Sequence, residues 1–410
     1  MTFAINWDYL RDVLGLLRWL HVFAAIIWIG LTAFFWFMES HLKTPIPGGP
    51  EPTDGVSGET YYLHGGIFYF RRYKGGPDHL PANVTWHPQW YAYGTWVTGF
   101  LLLCIVYFWK ANTYLLDPSV ADISPVLGVT ICVALLAFSW LFYDRLSRWL
   151  IERERLLVSL LFIYIVAVSY GLSHLLSSRG VVIEVGAVIG TWMAGNVLFV
   201  WEPLHRMFFA AKSEHRIALD EGLMAISWQR AKHNAYLAPP VLFAMLGVHF
   251  SFVSGSRHAW LALIGFMIVG GLLRYFYIWR NRSRVIVAIP AVAGALLIAL
   301  VIWLAPSTAP APAPATALTA GDAGTTGGGD AAVTAGRAVF AKAGCGSCHT
   351  LTAAGAAGTA GPSLDQAKPS AALVSDRVTQ GVGTMPSFSG KLSAAEIKEV
   401  ATYVSTVAGK

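Results

Sequence analysis

Two thiols separated by two residues and followed at once by an imidazole, Cys345-Gly346-Ser347-Cys348-His349, are the groups that covalent haem attachment uses. The thiols bond the porphyrin vinyl groups, and His349 becomes the proximal iron ligand of a single haem c. The pentapeptide alone also fits half of a zinc site, so the surrounding chain decides. Ala335–Ala343 reads as a short helix before it, Gly361-Pro362 follows, and Thr384-Met385-Pro386 lies 36 residues beyond His349. Met385 is the expected distal ligand. A thioether favours ferrous iron and raises the potential, which suits an electron carrier with both axial positions filled. Ser393 and Glu396 have capping-box spacing ahead of an apolar stripe, Ile397, Val400 and Val404, so a helix is expected to close the chain.

The elements that hold the other reactive side chains are of another kind. Only 13% of the 410 residues are charged and 55% are hydrophobic, with a mean hydropathy of +0.53, which points to a lipid bilayer as solvent. The net charge of +6 does not indicate nucleic acid, because the Lys and Arg residues fall between apolar runs instead of forming one patch. Cys104 and Cys132 sit inside apolar runs and read as small buried hydrophobes. The first apolar run has no clear small-residue cleavage site and is expected to stay as a membrane span.

Apolar runs of about 20 residues, the length that crosses a ~30 Å hydrocarbon layer, number eight: Val13–Met38, Gln89–Trp109, Ser124–Tyr143, Leu156–Leu176, Val185–Leu204, Ala235–Val253, Ala259–Trp279 and Val285–Leu304. The expected fold class is all-α. An eight-helix transmembrane bundle, 1–305, contains a long cytoplasmic loop, 39–88; a Pro/Ala/Gly-rich linker, 306–331, joins it to a small all-α cytochrome c domain, 332–410. Bacteria attach haem to this motif outside the cytoplasm, so the last domain is expected in the periplasm of a bacterial inner-membrane protein. Eight spans then put the N-terminus there too. The inner loops contain sixteen Lys and Arg, the outer ones only Lys110, Arg179 and Arg257, which is the asymmetry of the positive-inside rule.

Polar side chains inside spans are costly and mark candidate sites. His21, His174 and His249 fall in the periplasmic half, His21 about 12 Å deep at ~1.5 Å per residue. Two imidazoles from different helices could ligate a b-type haem, and His21 with His249 is the expected pair. Arg18 lies one turn nearer the periplasm on the same face, where it could meet a propionate, and Ala24 and Ala25 leave room for a flat ring. The competing reading is a histidine bonded only to a neighbouring helix. On the cytoplasmic side, Thr60 to Lys74 interleaves aromatics with cations around His64, Gly65, Gly66 and Arg72. Such a segment could bind a planar anion, or lie in the headgroup layer. Asn196 lies within the fifth span, and His233-Asn234 opens the sixth ahead of Pro239-Pro240, which should kink it. With His64 these residues could border one polar cavity.

The same residues carry a resemblance. Arg18-Trp19-Leu20-His21-Val22 with Trp28-Ile29-Gly30, His64-Gly65-Gly66 with Phe68, Ala194-Gly195-Asn196-Val197, and His233-Asn234 with Tyr236-Leu237 and His249 resemble the membrane-bound bacterial urate oxidases, or urate hydroxylases, over almost the whole chain. The C-terminal part resembles the small class I cytochromes c. The resemblance implies oxidation of urate to 5-hydroxyisourate in purine breakdown. It also implies electron transfer to haem c, and on to a terminal cytochrome oxidase or a soluble cytochrome, instead of directly to oxygen. The first-span pattern is similar to that of the membrane protoporphyrinogen oxidases, in which a histidine so placed is associated with haem.

The expected machinery is then His64, His233 and Asn234 as catalytic groups, with a histidine as general base, and Gly65, Gly66, Arg72 and Asn196 as substrate contacts. Urate arises in the cytoplasm whereas haem c is periplasmic, so electrons must cross ~30 Å. One haem cannot span that distance, and a haem b at His21 and His249 is the expected intermediate. The rival reading is a pure electron-transfer module fed by quinol or a partner subunit.

Overall fold

The computed structural model describes residues 7–45, 55–73, 89–109, 111–117, 120–213, 221–250, 253, 256, 258–281, 285–304, 329–358, 361–381, 385 and 388–410. Most of the expected linker, much of the loop at 39–88, and Lys110, Arg257, Thr384 and Pro386 lie outside the described residues. The chain forms two units, Met1–Leu246 with Trp260–Val301, and Gly247–Ala259 with Ile302–Lys410.

The membrane part is built from α1 (Trp7–His41), α2 (Trp90–Leu102), α3 (Ala111–Tyr114), α4 (Pro125–Trp149), α5 (Glu154–Leu172), α6 (Ser178–Gly195), α7 (Glu202–Ser213), α8 (Glu221–Gly247), α9 (Ala259–Asn281) and α10 (Ala288–Leu304). Serines start two of the central helices. Ser124 Oγ accepts the Leu127 N–H with Pro125 in the first turn, and Ser177 Oγ accepts the Gly180 N–H. Among the described residues, six segments are long and apolar enough to cross a membrane: Leu14–His41, Trp90–Phe108, Pro125–Trp149, Glu154–Leu172, Ser178–Met207 and Ala259–Arg280. The sixth and eighth expected spans are built differently. α8 carries Arg230, Lys232 and His233 ahead of its apolar part and ends at Gly247, short of the expected Val253, while α10 has 17 residues. α8 remains helical through Pro239 and Pro240. Gly270 of α9 leaves room for them, since a Cβ there would come within 2.8 Å of Pro239 Cβ.

α6 is the buried centre and packs on α2, α4 and α5. Glycines let its neighbours close on it: a Cβ at Gly186 would fall 2.7 Å from Ala244 of α8, and one at Gly195 2.5 Å from Trp140 of α4. Directly after Gly195 the helix widens into a π-helical turn, Asn196–Trp201. Such turns break the regular side-chain spacing and recur at functional sites.

One element departs from the all-helical expectation. β1 (Val56–Leu63) and β2 (Ile67–Tyr73) pair as an antiparallel hairpin inside the long loop. Its Thr, Tyr, Ile and Phe residues suit strands, and the turn His64-Gly65-Gly66 depends on glycine, with Gly65 at φ +65°. Because aromatics occupy both faces, no polar alternation announces the strands. Tyr62 packs on Phe34 and Phe37 of α1, and Phe70 on Phe34.

The second unit contains α11 (Gly329–Lys342), a 3-10 turn at Cys345–Ser347, β3 (Thr350–Leu351), β4 (Ala356–Ala357), α12 (Leu364–Ala367), α13 (Ala371–Gln380) and α14 (Ala394–Val407). α11 begins six residues before the expected Ala335. The Ser393–Glu396 capping box is formed in both directions. Phe340, Leu351, Val400, Tyr403 and Val404 make the core, and α11 meets α14 at Gly336, where a Cβ would lie 2.1 Å from the Glu399 carbonyl oxygen.

Candidate functional site

After α11, Gly344 turns the chain at φ +69°, and the N–H groups of Cys348 and His349 both bond the Cys345 carbonyl, at 3.2 and 3.0 Å. Two thiols and one imidazole are thereby gathered on a single turn. His349 Nδ1 lies 2.8 Å from the Pro362 carbonyl; a carbonyl only accepts, so Nδ1 carries the proton and the Nε2 lone pair is left for a metal. Gly361 is required beside it, because a Cβ there would fall 2.5 Å from His349 Cε1. Cys345 and Met385 both border the apolar core. Among the described residues no group of three His, Cys, Asp or Glu side chains converges as a zinc site needs, whereas two thiols outside any disulfide, a histidine with a fixed tautomer and a core-edge methionine are the donor set of a haem c.

Two carboxylates brace this domain and set its acid tolerance. Lys342, 2.8 Å away, and the Ser393 backbone and side chain hold Glu396 down at about 2. The Gly409 N–H, with the Thr352 N–H and hydroxyl, holds Asp365 below the usual carboxylate range. Both folded values are depressed, so the stabilisation is complete above the ordinary value of about 4.5 and is lost as pH falls towards 2. Thermal melts of the full chain, followed by haem absorbance, should therefore be flat from pH 7 to 5 and drop below 4.5. Glu396→Gln should make that drop shallower; an equally steep drop would remove Glu396 from the explanation.

A second constellation lies where α4, the π-turn and α8 meet. Asn234 Nδ2 bonds the Met193 carbonyl at 3.0 Å; Asn196 Nδ2 bonds both Asn234 Oδ1 and Tyr143 Oη, each at 2.8 Å; Tyr143 Oη lies 2.8 Å from His233 Nδ1. The Met193 carbonyl fixes the direction of the whole chain. Asn234 must donate to it, so its Oδ1 accepts from Asn196, whose second amide proton goes to Tyr143. The Tyr143 oxygen can accept from Asn196 and still donate, and His233 Nδ1 is the acceptor beside it; with the phenol hydrogen there, His233 carries its own proton on Nε2. The Tyr143 ring stacks on Trp192 at 4.7 Å, with the Arg230 guanidinium 4.8 Å from its centroid. Arg230 is fully buried and bonds Asp144 at 2.8 Å.

Four polar atoms of this cluster are buried without a partner: His233 Nε2, Asn196 Oδ1, and Arg230 Nε and Nη1. Buried donors and acceptors left open are expensive, by about 1–3 kcal/mol each, and such atoms call for a ligand or water. Tyr143, Arg230 and Trp192 were absent from the expected site. Arg230 had a signal, three and four residues before His233 and Asn234 on one helical face; Tyr143 and Trp192 had none beyond their aromatic character.

The remaining expected residues lie elsewhere. His64, Gly65 and Gly66 form the exposed hairpin turn, and Arg72 on β2 pairs with Glu39 and donates to Ser57 Oγ at 2.9 Å. Asn196, His233 and Asn234 are brought together; His64 is not among them. His21 Nδ1 lies 2.9 Å from the Thr95 carbonyl of α2 and 3.2 Å from Thr98 Oγ1. Its ring fills the space left by Gly99, where a Cβ would be 2.8 Å from Cε1. The Thr95 carbonyl fixes the proton on Nδ1 and leaves the Nε2 lone pair free, the state a haem ligand needs. Arg18 is exposed one turn away. His174 follows α5, edge-on to Tyr170 at 4.7 Å, and His249 is exposed beyond the end of α8, within the second unit.

Comparison with known proteins adds to this geometry. Residues 5–305 match the family described as urate oxidase N-terminal, and residues 331–404 match the family described as cytochrome c oxidase, cbb3-type, subunit III. No curated protein matches the chain. Among solved structures, the c-type cytochrome SorU from Sinorhizobium meliloti is 45% identical over 20% of this chain and 95% of its own, with a TM-score of 0.19. The first match takes in the buried relay and His21, and the second takes in the Cys345–His349 turn and Met385. The chain therefore belongs to the urate oxidase N-terminal family and is an oxidoreductase whose membrane part is followed, in one polypeptide, by an electron-transferring cytochrome c domain.

Proposed function

We propose that the protein oxidises urate to 5-hydroxyisourate at the Tyr143–Asn196–Arg230–His233 cluster and passes the electrons to its own cytochrome domain. The observation that carries this reading is the set of buried, unpartnered polar atoms on that cluster. Urate is a planar purine with carbonyl acceptors, ring N–H donors and a negative charge at neutral pH. His233 Nε2–H can donate to a carbonyl oxygen, Asn196 Oδ1 can accept a ring N–H, and Arg230, whose Nη2 is held by Asp144, can donate to the anion from Nε and Nη1. Urate gains the oxygen of one water at C5 and gives up two electrons, which would leave one at a time to oxidised haem, and two protons, which pass to solvent. While Tyr143 holds its proton, His233 acts as a donor to the substrate and its Nδ1 receives any proton the phenol gives up. Haem c, held by Cys345, Cys348, His349 and Met385, would supply a one-electron acceptor. His21 would provide one ligand of a haem b in the periplasmic half of the membrane part, with Arg18 beside it.

The topology proposed with this reading has eight spans, with the N-terminus and the cytochrome domain in the periplasm of an inner-membrane protein. Counting α8 and α10 as spans keeps Arg206, Arg230, Lys232 and Arg280 on the inner side, as the charge rule requires. It also puts the cluster near the cytoplasmic ends of its helices, where urate is produced. A terminal cytochrome oxidase or a soluble cytochrome would accept the electrons.

The test is to mix membranes containing the protein with urate under anaerobic conditions and follow haem c absorbance. Reduction by urate, with a pyridine haemochrome spectrum containing both b and c components, is expected. Haem c that stays oxidised with urate yet is reduced by dithionite would end the urate reading; reduction by quinol alone would favour the electron-transfer module. A spectrum with c-type haem only would remove the role given to His21.

A further inference from the structure

Away from the relay, α8 takes part in a second polar feature. Trp36 of α1 donates from Nε1 to the Ala231 carbonyl at 3.3 Å and packs on Trp228 at 5.3 Å. Ala231 and His233 are about 200° apart around the helix at ~100° per residue, so this contact lies opposite the Tyr143 cluster. Beside it, Arg274 of α9 places its guanidinium 5.2 Å from the Trp36 ring centroid and 5.6 Å from that of Tyr277. Its Nε and Nη2 are buried and have no hydrogen-bond partner. Among the described residues no carboxylate pairs with it. Arg274 borders a cleft of about 430 Å³ completed by Ala33, Pro239, Gly270, Leu273 and Tyr277.

A cation on a membrane-crossing segment with two open donors is costly unless an anion meets it. The rest of the lining is apolar, which fits a ligand that carries its negative charge on a greasy body. Leu273, 47% exposed, extends the cleft onto the outer surface of the bundle. Arg274 lies six residues from the end of its segment at Arg280, about 9 Å along the axis, a depth from which an arginine side chain reaches the headgroup layer. We propose that the cleft seats an anionic phospholipid, its phosphate accepting hydrogen bonds from Arg274 Nε and Nη2 and its glycerol end lying on Ala33, Pro239, Gly270 and Leu273. The small residues at Ala33 and Gly270 leave the space, and Trp36 and Tyr277 hold the guanidinium in place from its faces. The site does not depend on the urate reading.

The test uses the full chain in nanodiscs of phosphatidylcholine with increasing phosphatidylglycerol. For the wild-type protein, the unfolding temperature should rise with phosphatidylglycerol. Phosphatidylglycerol should also remain bound through detergent washing, as counted by mass spectrometry. Arg274→Gln should retain roughly fivefold less, the equivalent of one lost cation at the headgroup, and Arg274→Lys should keep part of the effect. Equal retention by the wild type and Arg274→Gln would overturn the proposal. So would a wild-type protein that phosphatidylglycerol does not stabilise, a result that needs no variant. Stabilisation by inorganic phosphate in phosphatidylcholine alone, equal to that by phosphatidylglycerol and lost in Arg274→Gln, would assign the cleft to a soluble anion and likewise overturn it.

Discussion

If urate is oxidised at the Tyr143 cluster as proposed, replacing His233 by alanine is expected to lower the rate at which urate reduces haem c by about 10²- to 10³-fold, the usual cost of removing one preorganised donor from a reacting oxygen. Haem c content and its dithionite-reducible absorbance should stay unchanged, because His233 is none of the groups proposed to hold haem c. The expectation comes from the direction of the relay. With the Tyr143 hydroxyl donating to His233 Nδ1 at the end of the chain from Met193, Asn234 and Asn196, His233 presents a proton on Nε2. Tyr143→Phe removes the donor to Nδ1 and frees the imidazole to adopt the other tautomer, with a lone pair where the substrate expects a proton. That variant should lose roughly 10-fold to 100-fold, since leaving one buried polar partner unsatisfied costs about 1–3 kcal/mol. Stopped-flow absorbance with the wild type and both variants, at equal haem content, measures this. A His233→Ala rate within twofold of wild type would separate the relay from the chemistry.

How far these features can be read from residues alone follows from how local they are. Cys345 to His349, and Ser393 with Glu396, act over one turn of chain, so their spacing already states their geometry. Asn196, His233 and Asn234 stand out because polar groups in apolar runs need partners. The identity of those partners is a matter of helix packing. Tyr143 is joined to His233 across 90 residues, and no periodicity in α4 distinguishes it from the aromatics around it. The hairpin has no periodic signature because Tyr61, Tyr62, Phe68 and Tyr69 put rings on both faces, which erases the polar–apolar alternation of a half-buried strand. With it went the expected grouping of His64 with His233, since the turn that carries His64 is fixed by the pairing of β1 and β2. α8 was misjudged at its ends for a related reason. It joins a charged first half to an apolar second half in one continuous helix, and a hydropathy window sees only the second.

Gly336→Val should lower the melting temperature of the cytochrome domain by about 12–24 °C, the shift that ~3 kcal/mol produces in a domain of this size. A Cβ at position 336 would stand 2.1 Å from the Glu399 carbonyl oxygen and 2.6 Å from Tyr403 Cβ. Neither obstacle can rotate away: one belongs to the backbone of α14 and the other is the first atom of a buried side chain. The helices would have to separate, which loosens the edge-to-face contact of Phe340 with Tyr403 (5.9 Å) and the core around Val400 and Val404. A domain of under a hundred residues has about 5–15 kcal/mol in total, so the loss is a large part of it. The same crossing carries the haem site. Cys345 follows α11 by three residues, so the packing of that helix on α14 sets where the attachment turn begins. Ala341→Val, on the exposed face of the same helix, changes only helix propensity, by roughly 0.5 kcal/mol, and serves as the comparison. Melts of the two variants followed at the haem band should differ by more than 10 °C; coincident melts would mean that α11 and α14 do not close on Gly336 as described. Below its lowered transition Gly336→Val should still reduce with dithionite, since no haem ligand has been altered.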